Sequence, residues 1–224
     1  MLIVVDHASN AEPPDIDLGI DPALLGKHIA WDIGAEALGR ALCDRLGCPG
    51  VFGPVSRLVI DLHRPEDSPA LIPEVSDGHV IPGNRNVDRQ ARIDRFWRPY
   101  HHALERRIGD ERPDLLVAVH SFTPRLESAP GPDRPWEVGL LYNRDDRAAR
   151  LAIAALRGQG VVTGDNEPYS GRDLNYTMDR HAEANGIPYL VFEVRQDLIG
   201  EALGVARWAD RLAPVVARVR AALA

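Results

Sequence analysis

Three apolar runs in the sequence each carry a side chain that could bind a metal ion or move a proton. His7 follows the first run, His120 ends the second, and Glu193 lies within the third. Catalytic zinc usually takes three ligands from His, Asp and Glu and keeps a fourth position for water. His7 and His120 are therefore candidate metal ligands. Glu193 is a candidate general base, because a carboxylate among apolar residues needs a cation or a water as its partner.

The third metal ligand is open on the sequence alone. Asp32 is favoured, although a carboxylate at the start of a predicted helix could also serve as its cap. His28 lies four residues earlier, which would put it on the same helical face. Asn10 follows His7 by three residues, but an amide is a poorer zinc ligand than a carboxylate. Asp61 is a further alternative.

Two arginines flank Asp61 and could bind a substrate carboxylate. Arg57 and Arg64 lie on either side of it, and a guanidinium group matches a carboxylate with two parallel hydrogen bonds. Alternatively, each of these two arginines could lie on the protein surface without binding substrate. Asn143 directly follows the predicted strand at 138–142 and is a third candidate for substrate binding. These residue types favour a small substrate that carries a carboxylate.

The elements that must position these side chains alternate between strands and helices. Such alternation predicts a mostly parallel sheet covered on both faces, with ligands bound at the carboxyl ends of the strands. His7, Asp61, His120, Asn143 and Glu193 all lie at or near predicted strand ends. We expect one α/β domain over the whole chain. The predicted strands are 2–6, 51–61, 115–120, 138–142, 161–162 and 188–194, and the predicted helices are 30–46, 89–111, 146–157, 177–185 and 203–223.

Composition excludes several classes of protein. A net charge of −7 argues against a nucleic-acid binder. Lys27 is the only lysine, which disfavours Schiff-base chemistry, and Cys43 and Cys48 do not form a disulfide framework or a cysteine-rich zinc site. The opening strand has no leader before it, and no apolar run reaches membrane-spanning length, so we expect a cytoplasmic protein without a membrane or nucleic-acid partner. A homo-oligomer is left open.

Seven ordered motifs along nearly the whole chain resemble those of the N-formylglutamate amidohydrolase family. The resemblance implies a three-layer α/β/α fold similar to that of zinc carboxypeptidases and zinc-dependent amidases. It further implies one zinc ion held by His7, Asp32 and His120, with Glu193 as general base. The chain departs from the family at His63, where relatives often carry Asn. The motifs are 6–10, 28 with 32–35, 56–64, 120–124, 134–139, 165–169 and 193–197.

The function expected from residues and resemblance together is hydrolysis of the amide bond of an N-acyl amino acid. The favoured substrate is N-formyl-L-glutamate, which would yield formate and L-glutamate. One alternative is an amidase or peptidase acting on another N-acyl amino acid or on a cell-wall peptide. Another is a non-catalytic protein that binds a metal ion or an amino acid.

Overall fold

The computed structural model describes residues 1–129 and 131–224. The strands are β1 (Leu2–Val5), β2 (Gly50–Phe52), β3 (Val75–Ser76), β4 (His79–Val80), β5 (Leu116–Phe122), β6 (Val138–Leu141), β7 (Thr163–Asp165) and β8 (Tyr189–Arg195). The helices are α1 (Ala35–Leu46), α2 (Arg89–Arg92), α3 (Arg98–Glu111), α4 (Arg147–Arg157), α5 (Tyr176–His181) and α6 (Ala202–Leu223). A π-helical turn, Ile93–Trp97, joins α2 to α3, so the helix predicted at 89–111 is found. Within the described part of the chain, every helix is too short or too polar to cross a membrane.

Six strands form a mostly parallel sheet in the order β2-β1-β5-β8-β6-β7. The four neighbouring strands β2, β1, β5 and β8 run in the same direction. β6 pairs antiparallel with β8 and parallel with β7. The carboxyl ends of β1, β5 and β8 therefore meet at one edge of the sheet, whereas β6 ends at the opposite edge. The short β3–β4 hairpin forms a separate sheet.

Helices cover both faces of the sheet, which confirms the predicted three-layer α/β/α class. Alternate residues of a strand point to opposite faces. Val117 and Val119 of β5 pack in a cluster with α1, α4 and α6. Leu116 and Ala118 pack in a second cluster with α3 and α5. His120 has the same parity as this second pair, so β5 presents it on the α3 and α5 side.

The strand predicted at 51–61 is wrong beyond Phe52. The chain instead forms turns in which Arg57 N and Ser56 Oγ both donate to Ala30 O, at 3.0 and 2.8 Å. The apolar residues of this segment are buried in a third cluster, together with Ile93 and Trp97. These residues are apolar because they are buried in this cluster while the chain is irregular, and not because they pair in the sheet. The strand predicted at 161–162 is displaced by two residues for a similar reason, since Val161 is buried in the first cluster beside β7.

The first helix begins at Ala35, five residues after the predicted start. Gly34 precedes it with a φ of +81°, a left-handed conformation that stops the helix from extending backwards. A Cβ atom at Gly34 would lie 2.2 Å from the carbonyl oxygen of Ile199. The helix ends at Leu46, as predicted, and Gly47 follows it with a φ of +60°. Asp32 and His28 therefore lie outside the helix and share no helical face.

A buried histidine pair beneath the sheet makes the fold sensitive to acid. His101 Nδ1 lies 2.8 Å from His181 Nε2, and the two rings stack. Burial lowers the pKa of His101 to about 3 and that of His181 to about 4, from 6.5. Between pH 6.5 and 4 these two histidines consequently bind more protons in the unfolded chain than in the folded one, so their contribution to the free energy of unfolding falls as the pH falls.

We expect the His181→Gln variant to show a shallower loss of stability over this range. The decrease in slope is up to about 1.4 kcal/mol per pH unit, because one titrating group is removed. Urea denaturation at several pH values measures it. The His102→Gln variant is the matched control, since His102 is an exposed neighbour of His101. Equal slopes in both variants would contradict the prediction.

Candidate active site at the carboxyl edge of the sheet

A cavity of about 180 Å³ opens where β1, β5 and β8 end. Pockets for drug-sized ligands usually span about 300–1,000 Å³, so this one suits a small substrate. Six of the seven predicted site residues line it: His7, Asp32, Arg57, Arg64, His120 and Glu193. Asn143 is the exception.

His120 and Glu193 are direct neighbours across two adjacent parallel strands. They are register partners in the pairing of β5 with β8, so both side chains lie on the same face of the sheet. His120 is 3% exposed and Glu193 is 7% exposed. Glu193 Oε2 is buried and accepts no hydrogen bond from residues 1–129 or 131–224. Burial raises the pKa of Glu193 to about 7, a value suited to a group that gains and loses a proton near neutral pH.

Asp32 reaches the two histidines from a turn. Its backbone N–H donates to His7 O at 3.0 Å, which holds the turn against the segment that follows β1. Asp32 Oδ2 lies 3.3 Å from His7 Nδ1 and 2.8 Å from His120 Nδ1. The backbone N–H of Ser121 donates to the same oxygen at 3.3 Å. One nitrogen from each histidine and one oxygen of Asp32 thus lie within 4.8 Å of one another.

The second ring nitrogen of each histidine faces another carboxylate. His7 Nε2 lies 2.7 Å from Asp61 Oδ1, and His120 Nε2 lies 3.4 Å from Asp6 Oδ2. A histidine that binds metal through one nitrogen typically donates from the other to a carboxylate or a carbonyl. His7 therefore has the surroundings of a metal ligand that would bind through Nδ1. His120 has a carboxylate in the corresponding place, although its Nε2 forms no hydrogen bond with the described residues.

A second group of possible ligands, Asp6, His63 and His120, lies deeper in the protein. Asp6 is fully buried and already accepts hydrogen bonds from Tyr100 Oη at 2.8 Å and Thr177 Oγ1 at 3.0 Å. Asp6 does not line the cavity, whereas His7, Asp32 and His120 all do. The cavity thus favours the His7, Asp32 and His120 group as the one that substrate could reach.

The carboxylates and histidines of the site stabilise each other's charged forms. Burial alone would raise the pKa of Asp32, but His7 and His120 hold it well below its usual range. Burial opposes the cationic form of His120, yet its carboxylate neighbours, led by Asp32, raise its pKa well above 6.5. Asp32 is therefore ionised, as a metal ligand must be, and a metal ion would take the place of a proton on His120.

The two predicted substrate-binding arginines lie in the cavity but differ in their contacts. Arg57 donates to Asp61 Oδ2 at 2.8 Å and to Asp32 Oδ1 at 3.4 Å. Arg64 Nε lies 3.7 Å from Asp61 Oδ2 and has no hydrogen bond to any residue that the structure describes. Arg57 is thus held by two carboxylates, whereas the Nε of Arg64 has no hydrogen-bond partner among the described residues.

The structure places several residues named in the sequence analysis outside the group of His7, Asp32 and His120. Asn143 lies at the opposite edge of the sheet, because β6 runs against β8, and there it bonds to Asp179 at 3.1 Å. Asn10 is exposed and donates to Leu25 O at 3.0 Å, away from the ligand group. Asp61 is not at a strand end, but its turn still brings it to His7. His28 lines the cavity, although it bonds to Asp77 and lies outside the ligand group.

Sequence reasoning missed the buried groups behind the ligands. Asp6 contacts both His63, at 3.1 Å, and His120. The only signal in the sequence was a carboxylate directly before His7, at the end of an apolar strand. Nothing in the sequence connects this residue with Tyr100 or Thr177, which are distant along the chain.

Comparison with known proteins identifies the family and the fold of the chain. The sequence profile of the N-formylglutamate amidohydrolase family matches residues 1–200. The crystal structure of gene product Atu2144 from Agrobacterium tumefaciens is similar, with a TM-score of 0.93 and 31% identity over 99% of this chain and 90% of that chain. N-formylglutamate amidohydrolase from Ralstonia eutropha JMP134 has the same fold, with a TM-score of 0.73 and 20% identity over 99% of this chain and 93% of that one. No curated protein matches the chain. The matching profile covers most of the sequence, and the chain therefore belongs to the N-formylglutamate amidohydrolase family.

Proposed function

We propose that the protein is a zinc-dependent amidohydrolase that cleaves N-formyl-L-glutamate to formate and L-glutamate. The observation that carries the proposal is the convergence of His7, Asp32 and His120 beside the buried carboxylate of Glu193 in one small cavity. Family membership supports the reaction class. The metal and the substrate are inferred from the chemistry of the side chains.

The donor set suits zinc in number and in type. Two imidazole nitrogens and one carboxylate oxygen are the three protein ligands of many catalytic zinc sites. The orienting carboxylates Asp61 and Asp6 lie behind the two histidines. Arg57 bonds to Asp32 and Asp61 together, and so holds a ligand and an orienting group in place. When bound, zinc supplies a Lewis acid that polarises a carbonyl group and lowers the pKa of water.

Glu193 has the position and the proton affinity for the general base. In this proposal it accepts a proton from the water that attacks the formyl carbon. It then delivers that proton to the amide nitrogen as the C–N bond breaks, so formate leaves and the amine of glutamate is released. Its Oε2 has no hydrogen-bond partner in the part of the chain that the structure describes. This supports the role, because a carboxylate bonded to an arginine would be a weak base.

Arg64 is the proposed contact for a substrate carboxylate. It lines the cavity, and its Nε donor has no hydrogen bond within the described residues. Guanidinium binds carboxylate with two parallel hydrogen bonds, which orients the substrate as well as holding it. An orientation set in this way would bring the formyl group towards His7, His120 and Glu193.

Removal of metal tests the proposal directly. We expect a chelator to abolish release of formate from N-formyl-L-glutamate and added zinc to restore it. Metal analysis of the purified protein, coupled to an assay of formate release, measures both. N-acetyl-L-glutamate and other N-formyl amino acids in the same assay separate the proposed substrate from other N-acyl amino acids. Full activity in metal-free protein would refute the metal requirement.

A further inference from the structure

His28 lies in the cavity but takes no part in the proposed chemistry. It is one of the residues that line the cavity, and its side chain is 17% exposed. Nε2 of His28 is 2.9 Å from Asp77 Oδ2. The side-chain hydrogen bonds of the described residues include none to its other nitrogen, Nδ1. An imidazole ring carries two nitrogens, so His28 has one for Asp77 and one for a ligand.

Asp77 is built to hold His28 in a fixed place. It occupies the turn of the β3–β4 hairpin with a φ of +42°, followed by Gly78 at +83°. Asp-Gly is a preferred sequence for a two-residue turn of this kind. The backbone N–H groups of Glu127 and Ser128 donate to its carboxylate at 2.8 and 2.9 Å, and the hydroxyl of Ser128 donates as well.

These contacts tie three separate segments together at one wall of the cavity. The segments are the turn with His28, the β3–β4 hairpin and the loop after β5. The same loop carries Thr123, which also lines the cavity. The carboxylate of Asp77 is only 5% exposed, and its several donors hold its pKa well below the usual range despite burial. Asp77 is thus a fixed anion that positions His28 from outside the cavity.

The cavity needs a second cationic contact if its substrate has two carboxylates. Arg57 already bonds to Asp32 and Asp61. His7 and His120 belong to the proposed metal site. His63 bonds to Asp6 and Thr177 through Nδ1, and its Nε2 lies 3.5 Å from Leu174 O. Arg64 accounts for one carboxylate. Of the basic side chains that line the cavity, His28 is the remaining one whose partner leaves a ring nitrogen for a ligand.

We propose that His28, positioned by Asp77, binds the second carboxylate of a dicarboxylate substrate and so selects acidic N-formyl amino acids over neutral ones. This inference rests on the proposed function and deepens it. Arg64 and His28 would each hold one carboxylate, while the formyl group meets the metal site. His28 is then a specificity residue and Asp77 a positioning residue.

A pair of nearly isosteric substrates tests the proposal. We expect the wild-type protein to favour N-formyl-L-glutamate over N-formyl-L-glutamine in kcat/KM. In the His28→Gln variant, the KM for N-formyl-L-glutamate should rise about tenfold or more, since a hydrogen bond to a charged carboxylate is lost. The KM for N-formyl-L-glutamine and the kcat for both substrates should stay close to wild type.

Further variants separate this role from a structural one. Asp77→Asn should weaken the preference in the same direction, and His28→Lys should restore part of it by returning a cation. His79→Gln is the matched control. His79 lies on the same hairpin as Asp77 and bonds to Glu127 of the loop after β5, but it does not line the cavity. An equal loss on both substrates in His28→Gln, or an unchanged preference, would overturn the inference alone. A wild-type protein that releases formate from neither substrate would overturn the proposed function, and the inference with it.

Discussion

Replacement of Glu193 by Gln is expected to lower kcat by about 10²–10⁴-fold, the usual contribution of a general acid–base group. The amide keeps the size of the side chain but cannot accept a proton from water. Glu193 is not among the converging ligand atoms, so the variant should bind as much metal as the wild-type protein. We therefore expect this variant to lose turnover but to keep its metal content.

Formate release and metal analysis on the same preparation measure both quantities. The Glu201→Gln variant is the control, because Glu201 is exposed and lies outside the cavity. Oε2 of Glu193 is buried without a hydrogen bond from residues 1–129 or 131–224, so the neutral amide is also expected to leave the fold at least as stable, which thermal unfolding checks. A near-normal kcat in Glu193→Gln would remove Glu193 as the base.

Replacement of His120 by Ala is expected to remove both the metal and the activity. His120 Nδ1 lies 2.8 Å from Asp32 Oδ2 at the centre of the ligand group. With one of the three proposed ligands missing, the protein should purify with little zinc. Its kcat/KM should fall by at least about 10³-fold, since the Lewis acid contributes several kcal/mol to the barrier. The exposed His102 provides the control variant, His102→Ala.

The Asp61→Asn variant tests whether Asp61 orients His7, as proposed, or is itself a metal ligand. Asp61 faces His7 Nε2, on the far side of the ring from Asp32. Loss of an orienting carboxylate usually weakens metal binding or activity by about 10–100-fold, so Asp61→Asn should retain zinc when the metal is in excess. If Asp61→Asn lost metal as completely as His120→Ala, Asp61 would be the third ligand instead of Asp32. Comparison of each variant with chelated wild-type protein in thermal unfolding excludes a general loss of structure.

The strands that carry His120 and Glu193 could be predicted from local pattern. Both β5 and β8 are buried on two faces, so their sequences are almost continuously apolar. A histidine or a carboxylate within such a run is conspicuous. The alternation of strands and helices then predicted the α/β class, which the sheet and its two helical layers confirm.

The turns around the site could not be predicted in the same way. Apolar spacing before Ala35 and along 55–61 records which residues are buried, but it does not record their backbone conformation. The start of α1 depends on Gly34, whose close approach to Ile199 is a contact between distant parts of the chain. The placement of Asn143 failed because strand direction is decided by pairing with β8 and not by residues 138–142 themselves.

The sequence by itself determined which side chains are available for chemistry. It also determined, through strand length and apolar pattern, that His120 and Glu193 are carried on buried strands, and through its motifs the family to which the chain belongs. Only the tertiary structure decided that Asp32 meets His7 and His120, that Asp6 and Asp61 lie behind these histidines, and that Asp77 holds His28. The physical reason is that hydrogen bonds between buried polar groups join segments far apart in the chain, and packing of the whole fold sets those distances.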